Sequence, residues 1–203
     1  MQGSKVLVAT RSEGKLRELA GILHEAGLEG ISLAEAGVAE SPDEDGIECH
    51  STFEDNALAK ARYFNRLTGK PTMADDSGLC VDALGGAPGV YSKRFSGRDD
   101  LRGQELDDAN NAKLLNALSG TEYTNASYSC AAAFADGSDE YVATGSTSGR
   151  IIGEPRGEHG FGYDPYFFSD ELDKTFGEAT TPEKQAVSHR GRAFRALVNQ
   201  LKR

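Results

Sequence analysis

Residues 10–15, with the sequence TRSEGK, directly follow the apolar run KVLVA and combine hydroxyl groups, a glycine and a lysine. A short polar loop of this composition after a strand suits an anion, because glycine lets the backbone approach closely and Lys15 supplies positive charge. The stretch does not match the P-loop pattern, since Leu16 follows Lys15 and no glycine stands five positions before Gly14. We therefore ask whether this loop holds a phosphate in another way.

A pair of adjacent carboxylates, Asp75 and Asp76, closes a short apolar strand in the sequence ADDSG. Side chains alternate along a strand, so the two carboxylates are expected to face opposite sides. A carboxylate at this place could bind Mg²⁺, or it could position an attacking water as a general base. An acidic turn in which Asp75 caps backbone amides is the purely structural alternative.

Two further polar groups have spacing that suits a phosphate ligand. Asn56 and Lys60 stand four residues apart, so they share one face of a predicted helix. The acidic run at 43–45 in the preceding loop offers more carboxylates. A solvated helix edge and a solvated charge run remain the structural alternatives for these groups.

Near the C-terminus, two stretches could contact a nucleotide. In GFGYDPYFF at 160–168, Phe161 and Tyr163 could offer a ring face to a purine, although a tight turn into an aromatic strand fits equally. In SHRG, Ser188 is predicted to cap a helix that places His189 and Arg190 in its first turn, where anions are favoured. A solvated basic helix is the alternative, and no GxSxG motif accompanies the histidine.

Composition restricts the possible partners. The net charge of −10 over 203 residues argues against a nucleic-acid partner, which needs basic patches. No apolar stretch is long enough to span a membrane, and the N-terminus enters a strand pattern without room for a signal peptide. The three cysteines are widely spaced and odd in number, which indicates free thiols in a reducing cytoplasm. We predict a cytoplasmic protein without nucleic-acid or membrane partners.

The residues that could do chemistry must be positioned by alternating helices and strands. The predicted elements are a strand at 6–8, a helix from 16 to 26 ended by Gly27, a helix capped by Ser51 and Glu54, strands at 72–75 and 79–84, a helix within 99–118 that packs through Ala109, Ala112, Leu115 and Leu118, a hairpin of 126–135 and 140–152, and helices from Thr181 onward. This interleaving favours a mixed α/β sheet.

Five collinear blocks resemble the inosine/xanthosine triphosphate pyrophosphatase family, namely ATRSEGKLREL, FEDNALAKA, ADDSGLCVDALGGAPGVYSKRFSG, GEPRGEHGFGYDPYFF and EKQAVSHRGRAF. The resemblance implies one domain over residues 1–203 with an elongated α/β fold, in which two α/β lobes share a long mixed β-sheet and flank a central cleft. It also implies a homodimer and Mg²⁺-dependent hydrolysis of noncanonical purine nucleoside triphosphates (ITP, dITP and XTP) to the monophosphate and pyrophosphate. Such an activity cleanses the nucleotide pool.

The resemblance assigns roles to individual residues. Asp76 matches the proton acceptor and metal ligand, and Glu44 is the expected second metal carboxylate, with Asp43 as the alternative. The expected substrate contacts are Thr10, Arg11, Ser12, Glu13, Gly14, Lys15, Asn56, Lys60, Ser77, Phe161, Gly162, Tyr163, Asp164, Lys184, His189 and Arg190. Two departures stand out: Ser12 replaces the usual asparagine, and the segment IECHST at 47–52 is longer than the usual link.

Two other functions compete with this one. A Maf-type pyrophosphatase acting on pyrimidine or modified nucleotides is disfavoured by the combination of GFGYDP with SHRG. A non-catalytic nucleotide-binding regulator is disfavoured because Asp76, Lys15 and Lys60 are all present.

Overall fold

The protein, described here by a computed structural model for residues 4–202, has seven strands and five α-helices in this part of the chain. In chain order they are β1 (Ser4–Val8), α1 (Glu13–Glu25), β2 (Leu28–Ser32), α2 (Phe53–Thr68), β3 (Thr72–Val81), α3 (Gly103–Ala117), β4 (Asn125–Asp136), β5 (Asp139–Ile151), β6 (Phe167–Ser169), β7 (Lys174–Thr175), α4 (Thr181–Val187) and α5 (His189–Leu201). Short 3₁₀ helices cover Pro42–Gly46, Asp82–Leu84 and Gly89–Arg94. No helix within 4–202 is long and apolar enough to cross a membrane.

The strands form one mixed sheet in the order β2-β1-β3-β4-β5-β6-β7. Strand β1 pairs in parallel with β2 and β3, whereas β6 pairs antiparallel with β5 and β7. Strands β4 and β5 are neighbours joined by a two-residue turn, as predicted for the hairpin. The mixed α/β fold is thereby confirmed.

The chain divides into two compact units. The first unit comprises the chain up to Asp76, then Cys130–Gly145, and the chain from His189 onward. The second unit comprises Ser77–Ser129 and Ser146–Ser188. Strands β3, β4 and β5 each contribute residues to both units.

In the first unit, the alternation of side chains along the strands builds a core on each face of the sheet. Val6, Val8 and Met73 pack with apolar residues of α1 and α5, such as Leu23 and Phe194. Leu7 and Ala74, next to them in sequence, face the other way and pack against Ala57, Ala61 and Phe64 of α2. A period of two in the strands thus requires helices on both faces.

In the second unit, aromatic side chains form the centre of the core. The ring centroids of Tyr128 and Phe167 lie 4.7 Å apart, and those of Phe167 and Phe176 lie 5.0 Å apart. Leu79 and Leu114 are buried in the same cluster, so β3 and α3 both pack on these rings. This core supports the segment that precedes β6.

Two local predictions were wrong, and one strand was missed. A single strand β3 replaces the two strands expected at 72–75 and 79–84, because β3 continues through the aspartates and ends at a 3₁₀ turn. Thr52, not Ser51, caps α2, and its hydroxyl accepts from Asp55 N at 3.1 Å. Strand β2 is an edge strand that pairs with β1 and was not predicted.

The packing face of α3 was only partly predicted. Leu118, just beyond the helix, is buried, and Ala109 and Leu115 are half-buried, but Ala112 is exposed. The helix instead buries Asn110, Asn111 and Leu114. Two buried amides on a helix need hydrogen-bond partners, which links α3 to neighbouring loops.

Replacing Gly145 by alanine is expected to destabilise the protein by about 1 to 3 kcal/mol through overpacking. A Cβ at this position of β5 would lie 2.5 Å from both Ala193 N and His189 O of α5, so the helix would have to move. The free energy of unfolding measured in urea tests this. Gly153→Ala is the matched control, since nothing lies within 4 Å of its Cβ and its φ is outside the left-handed region. Equal unfolding free energies for the two variants would contradict the prediction.

Candidate active site

Asp75 and Asp76 face opposite sides of β3, as predicted, and each is the centre of a separate network in the first unit. The carboxylate oxygen Oδ2 of Asp75 lies 3.0 Å from Lys15 Nζ and 3.1 Å from Arg190 Nε. Arg190 also pairs with Glu18 of α1. We call Lys15, Glu18, Asp75 and Arg190 the ionic cluster.

Three members of the ionic cluster are buried, and Lys15 is half-buried. Asp75 is 1% exposed and Arg190 is 2% exposed. Burial alone would raise the pKa of Asp75, but the charges of Lys15 and Arg190 outweigh it and lower that pKa far below the usual range. Asp75 therefore remains a carboxylate that holds the Lys15 ammonium group at the start of α1.

Asp76 belongs to a network on the α2 side of the sheet. Asn56 Nδ2 donates to Asp76 Oδ2 at 2.8 Å, while Asn56 Oδ1 accepts from His50 N at 2.8 Å. Asn56 is 1% exposed, so this amide fixes the carboxylate and the segment before α2 together. Burial, followed by the charge of Glu48, raises the pKa of Asp76.

Glu48 is the carboxylate that the structure brings toward Asp76. It pairs with Lys60 of α2, and the attraction of Lys60 overcomes the effect of burial to lower the pKa of Glu48. Burial lowers the pKa of Lys60, but the charges of Glu48, Asp75 and Asp76 outweigh it and raise that pKa. Lys60 therefore pairs with Glu48 in the field of both aspartates.

Glu44, the expected metal carboxylate, makes different contacts. Its two carboxylate oxygens accept from Arg11 Nε at 3.2 Å and from Arg11 Nη2 at 2.7 Å. Glu44 also accepts from Ser41 N within a capping box, and Asp43 nearby is exposed. Arg11 further donates to the carbonyls of Val38 and Ala39, so it fastens this acidic loop.

The remaining residues of the TRSEGK loop begin helix α1. Ser12 is its N-cap, and the Ser12 hydroxyl accepts from Lys15 N at 3.4 Å. Thr10 Oγ1 accepts from Ser12 N at 3.1 Å, which tightens the loop. Glu13 is exposed and pairs with Arg17 at 3.7 Å, and Gly14 is half-buried.

The GFGYDP segment of the second unit is built around the carboxylate of Asp164. Its Oδ2 accepts from Phe161 N at 2.8 Å and from Lys184 Nζ at 2.7 Å. The Lys184 ammonium group lies 5.0 Å from the centre of the Phe161 ring, which is 38% exposed. Tyr163 is buried and its hydroxyl donates to Ser92 O at 2.8 Å. We call Phe161, Gly162, Tyr163 and Asp164 the aromatic loop, which Lys184 of α4 contacts.

The last two predicted residues border these groups. Ser77 follows Asp76 on β3 and is half-buried. His189 is the first residue of α5 and is 3% exposed, directly before Arg190. The predicted helix start at this place is confirmed.

Sequence reasoning missed Glu18, Glu48, Asp107 and Asn111. Glu48 carried one signal, because it is the only carboxylate in the unusually long segment 47–52. Glu18 carried none, since its partner Arg190 is distant in sequence. Asp107 and Asn111 both bond to Gly162, a contact that no local pattern encodes.

Replacing Arg190 by methionine is expected to cost about 3 to 5 kcal/mol of stability, because it leaves the buried carboxylates of Glu18 and Asp75 undercompensated. Urea unfolding followed by circular dichroism measures the loss. Arg62→Met is the control, since Arg62 forms an exposed pair with Glu140 and should cost less than about 1 kcal/mol. A loss no larger than that of the control would show that the ionic cluster does not depend on Arg190.

Comparison with known proteins gives the family. The model of the Ham1 family matches residues 6–200. A dITP/XTP pyrophosphatase of Burkholderia pseudomallei (strain K96243) is 46% identical over 202 residues, covering 98% of this chain and 93% of its own. A HAM1 protein from Coxiella burnetii superposes with a TM-score of 0.82 at 34% identity, with 98% of each chain covered.

A third relative has both a solved structure and a named activity. The nucleoside-triphosphatase / dITP/XTP pyrophosphatase from Mycobacterium abscessus has a TM-score of 0.71 and 43% identity, covering 97% of this chain and 99% of its own. These matches confirm the family that the sequence motifs indicated. The chain belongs to the Ham1 family.

Proposed function

We propose that this protein is a nucleoside triphosphate pyrophosphatase that hydrolyses noncanonical purine nucleotides such as ITP, dITP and XTP to the monophosphate and pyrophosphate. The observation that carries the proposal is the pair of networks on β3, in which one aspartate holds a lysine and the next is a buried carboxylate of raised pKa. Two of the relatives are named dITP/XTP pyrophosphatases, which supports the same substrate class.

Lys15 and Lys60 supply the positive charge for the triphosphate. Lys15 is held by Asp75 and lies in the first turn of α1, whose N-terminal amides also favour anions. When the bond between the α- and β-phosphates breaks, negative charge collects on the pyrophosphate. Cations fixed in advance stabilise that charge without reorganisation. Arg190 contributes through Asp75, which it helps to keep ionised.

Asp76 is the proposed general base for the attacking water. Its raised pKa suits a general base, and Asn56 fixes one of its oxygens. The water oxygen forms a bond to the α-phosphorus while the bond from that phosphorus to the α–β bridging oxygen breaks. The proton of the water passes to the Asp76 carboxylate, and the electron pair leaves with pyrophosphate.

The donors near Asp76 fit Mg²⁺. Burial and then the charge of Glu48 raise the pKa of Asp76, and a divalent cation would relieve the repulsion between these two carboxylates. Mg²⁺ prefers carboxylate, water and phosphate oxygens, so two protein carboxylates suit an ion that also binds waters and the substrate. Bound Mg²⁺ would neutralise phosphate charge. We therefore propose Asp76 and Glu48 as its ligands, with Glu44 as the alternative.

The aromatic loop is proposed to bind the base. The exposed Phe161 ring offers a stacking surface, and Lys184 under it adds positive charge. A site whose hydrogen-bond donors are aimed at a 6-keto oxygen rejects adenine. Adenine has an amino group at that place, so the donors of the site stay unpaired.

We further propose a cytoplasmic homodimer without nucleic-acid or membrane partners. The three free cysteines suit a reducing cytoplasm, and the net charge of −10 disfavours a nucleic-acid partner. The dimer is what the resemblance to the pyrophosphatase family implies. Sedimentation equilibrium should give twice the chain mass of 21.7 kDa. A mass of one chain would rule out the dimer.

A panel of nucleotides tests the activity directly. With Mg²⁺ we expect pyrophosphate release from ITP, dITP and XTP with a kcat/KM at least about 100-fold above that for ATP, because mismatched polar groups are costly. Asp76→Asn should abolish release. Comparable turnover of ATP and ITP would contradict the specificity, turnover of pyrimidine triphosphates would favour a Maf-type enzyme, and nucleotide binding without release would favour a regulator.

Replacing Glu48 by glutamine is expected to raise the Mg²⁺ concentration at half-maximal velocity by about tenfold or more, since one ligand carboxylate is lost. Glu44→Gln and Asp43→Asn are the matched variants and should leave that concentration close to the parent value. A large increase for Glu44→Gln with none for Glu48→Gln would assign the second carboxylate to Glu44 and overturn the assignment to Glu48.

A further inference from the structure

Gly162, at the centre of the aromatic loop, is held on both sides by one helix. Its N–H donates to Asp107 Oδ2 at 2.9 Å, and its carbonyl accepts from Asn111 Nδ2 at 3.1 Å. Asp107 and Asn111 stand four residues apart on α3, so they project from one helix face. The two peptide groups that flank the Gly162 Cα are thus fixed by two side chains.

Burial makes this clamp costly to break. Asn111 is 5% exposed and Asp107 is half-buried. Burial raises the pKa of Asp107, while the Gly162 N–H opposes that effect by stabilising the carboxylate. A hydrogen bond to a charged group is stronger than one between neutral groups, so the Asp107 contact is the firmer half of the clamp.

The clamp also determines which backbone groups a base could use. The N–H of Gly162 is taken by Asp107, and the N–H of Phe161 is taken by Asp164. The amides of Phe161 and Gly162 are therefore already committed within the protein. What these contacts fix is the orientation of the loop: the Phe161 ring on one side of Gly162 and the anchored Tyr163 on the other.

We propose that Asp107 and Asn111 are positioning residues that determine purine specificity by fixing the backbone of Gly162 in the aromatic loop. The inference rests on the proposed function, because it assigns base recognition to this loop. Neither side chain needs to touch the substrate. Their effect passes through the two peptide groups of Gly162.

The experiment compares Asp107→Leu and Asn111→Ala, which remove the contacts, with Asp107→Asn, which keeps an oxygen acceptor without the charge. Asp108→Leu is the matched control, because Asp108 is exposed and accepts from Gln104 on the same helix. The measured quantities are kcat and KM for ITP and ATP, and inhibition by inorganic tripolyphosphate, which has no base. Circular dichroism verifies that each variant is folded.

We expect Asp107→Leu and Asn111→Ala to lower the ITP-to-ATP ratio of kcat/KM roughly tenfold, mainly through KM for ITP, because each removes one hydrogen bond that holds Gly162 in its orientation. Inhibition by tripolyphosphate should stay within about twofold of the parent, since the hydrogen bonds that the two variants remove go to Gly162 and not to Lys15 or Lys60. Asp107→Asn and Asp108→Leu should keep the parent ratio.

Three results would overturn the inference: an unchanged ratio in both contact-removing variants, an equal loss in Asp107→Leu and Asp107→Asn, or a parallel weakening of tripolyphosphate inhibition. If Asp107→Leu does not fold, Asn111→Ala decides alone. Binding of IMP and AMP by calorimetry separates this inference from the proposed function. A parent that releases no pyrophosphate refutes the function, while the IMP-to-AMP affinity ratio still decides the role of the clamp.

Discussion

The alternation of side chains along β3 is the constraint on which the candidate site depends. Asp75 and Asp76 are neighbours in sequence, but the pleat sends them to opposite faces of the sheet. One face carries Lys15 and Arg190, and the other carries Asn56. Two carboxylates that would repel each other on one face therefore acquire different surroundings, and their pKa values move in opposite directions. A single strand thus provides both a permanent anion and a candidate base.

The ionic cluster is better explained by the elements that it positions than by a gain in folding stability. Taking charges out of water is expensive, and a buried ion pair often does no more than recover that cost. The cluster fixes three elements relative to one another, because Arg190 of α5 pairs with Glu18 of α1 and with Asp75 of β3. Lys15 is one of the two cations on Asp75 Oδ2, so its ammonium group is fixed where a helix begins. This arrangement suits the phosphate contact that we propose for Lys15.

Sequence predicted those parts of the site in which short motifs and local periodicity carry the information. The helix that starts at His189, the hairpin after Asp136 and the opposed aspartates follow from local rules. Strand β3 was divided in the prediction because aspartate and glycine are poor strand formers, yet sheet pairing carries the strand through them. Gly78 is required there, since a Cβ would collide with the Gly89 carbonyl.

The clamp on Gly162 could not be predicted because Asp107 and Asn111 are more than 50 residues away from it in sequence. For Ser12, the sequence identified the residue but not its contact. The sequence raised the question of whether its hydroxyl replaces the usual asparagine in a phosphate contact, whereas in the structure that hydroxyl caps α1 through Lys15 N. A capping hydroxyl orders the first turn of the helix, and the amides of that turn favour phosphate. Ser12 can therefore serve the same ligand through the helix that it starts.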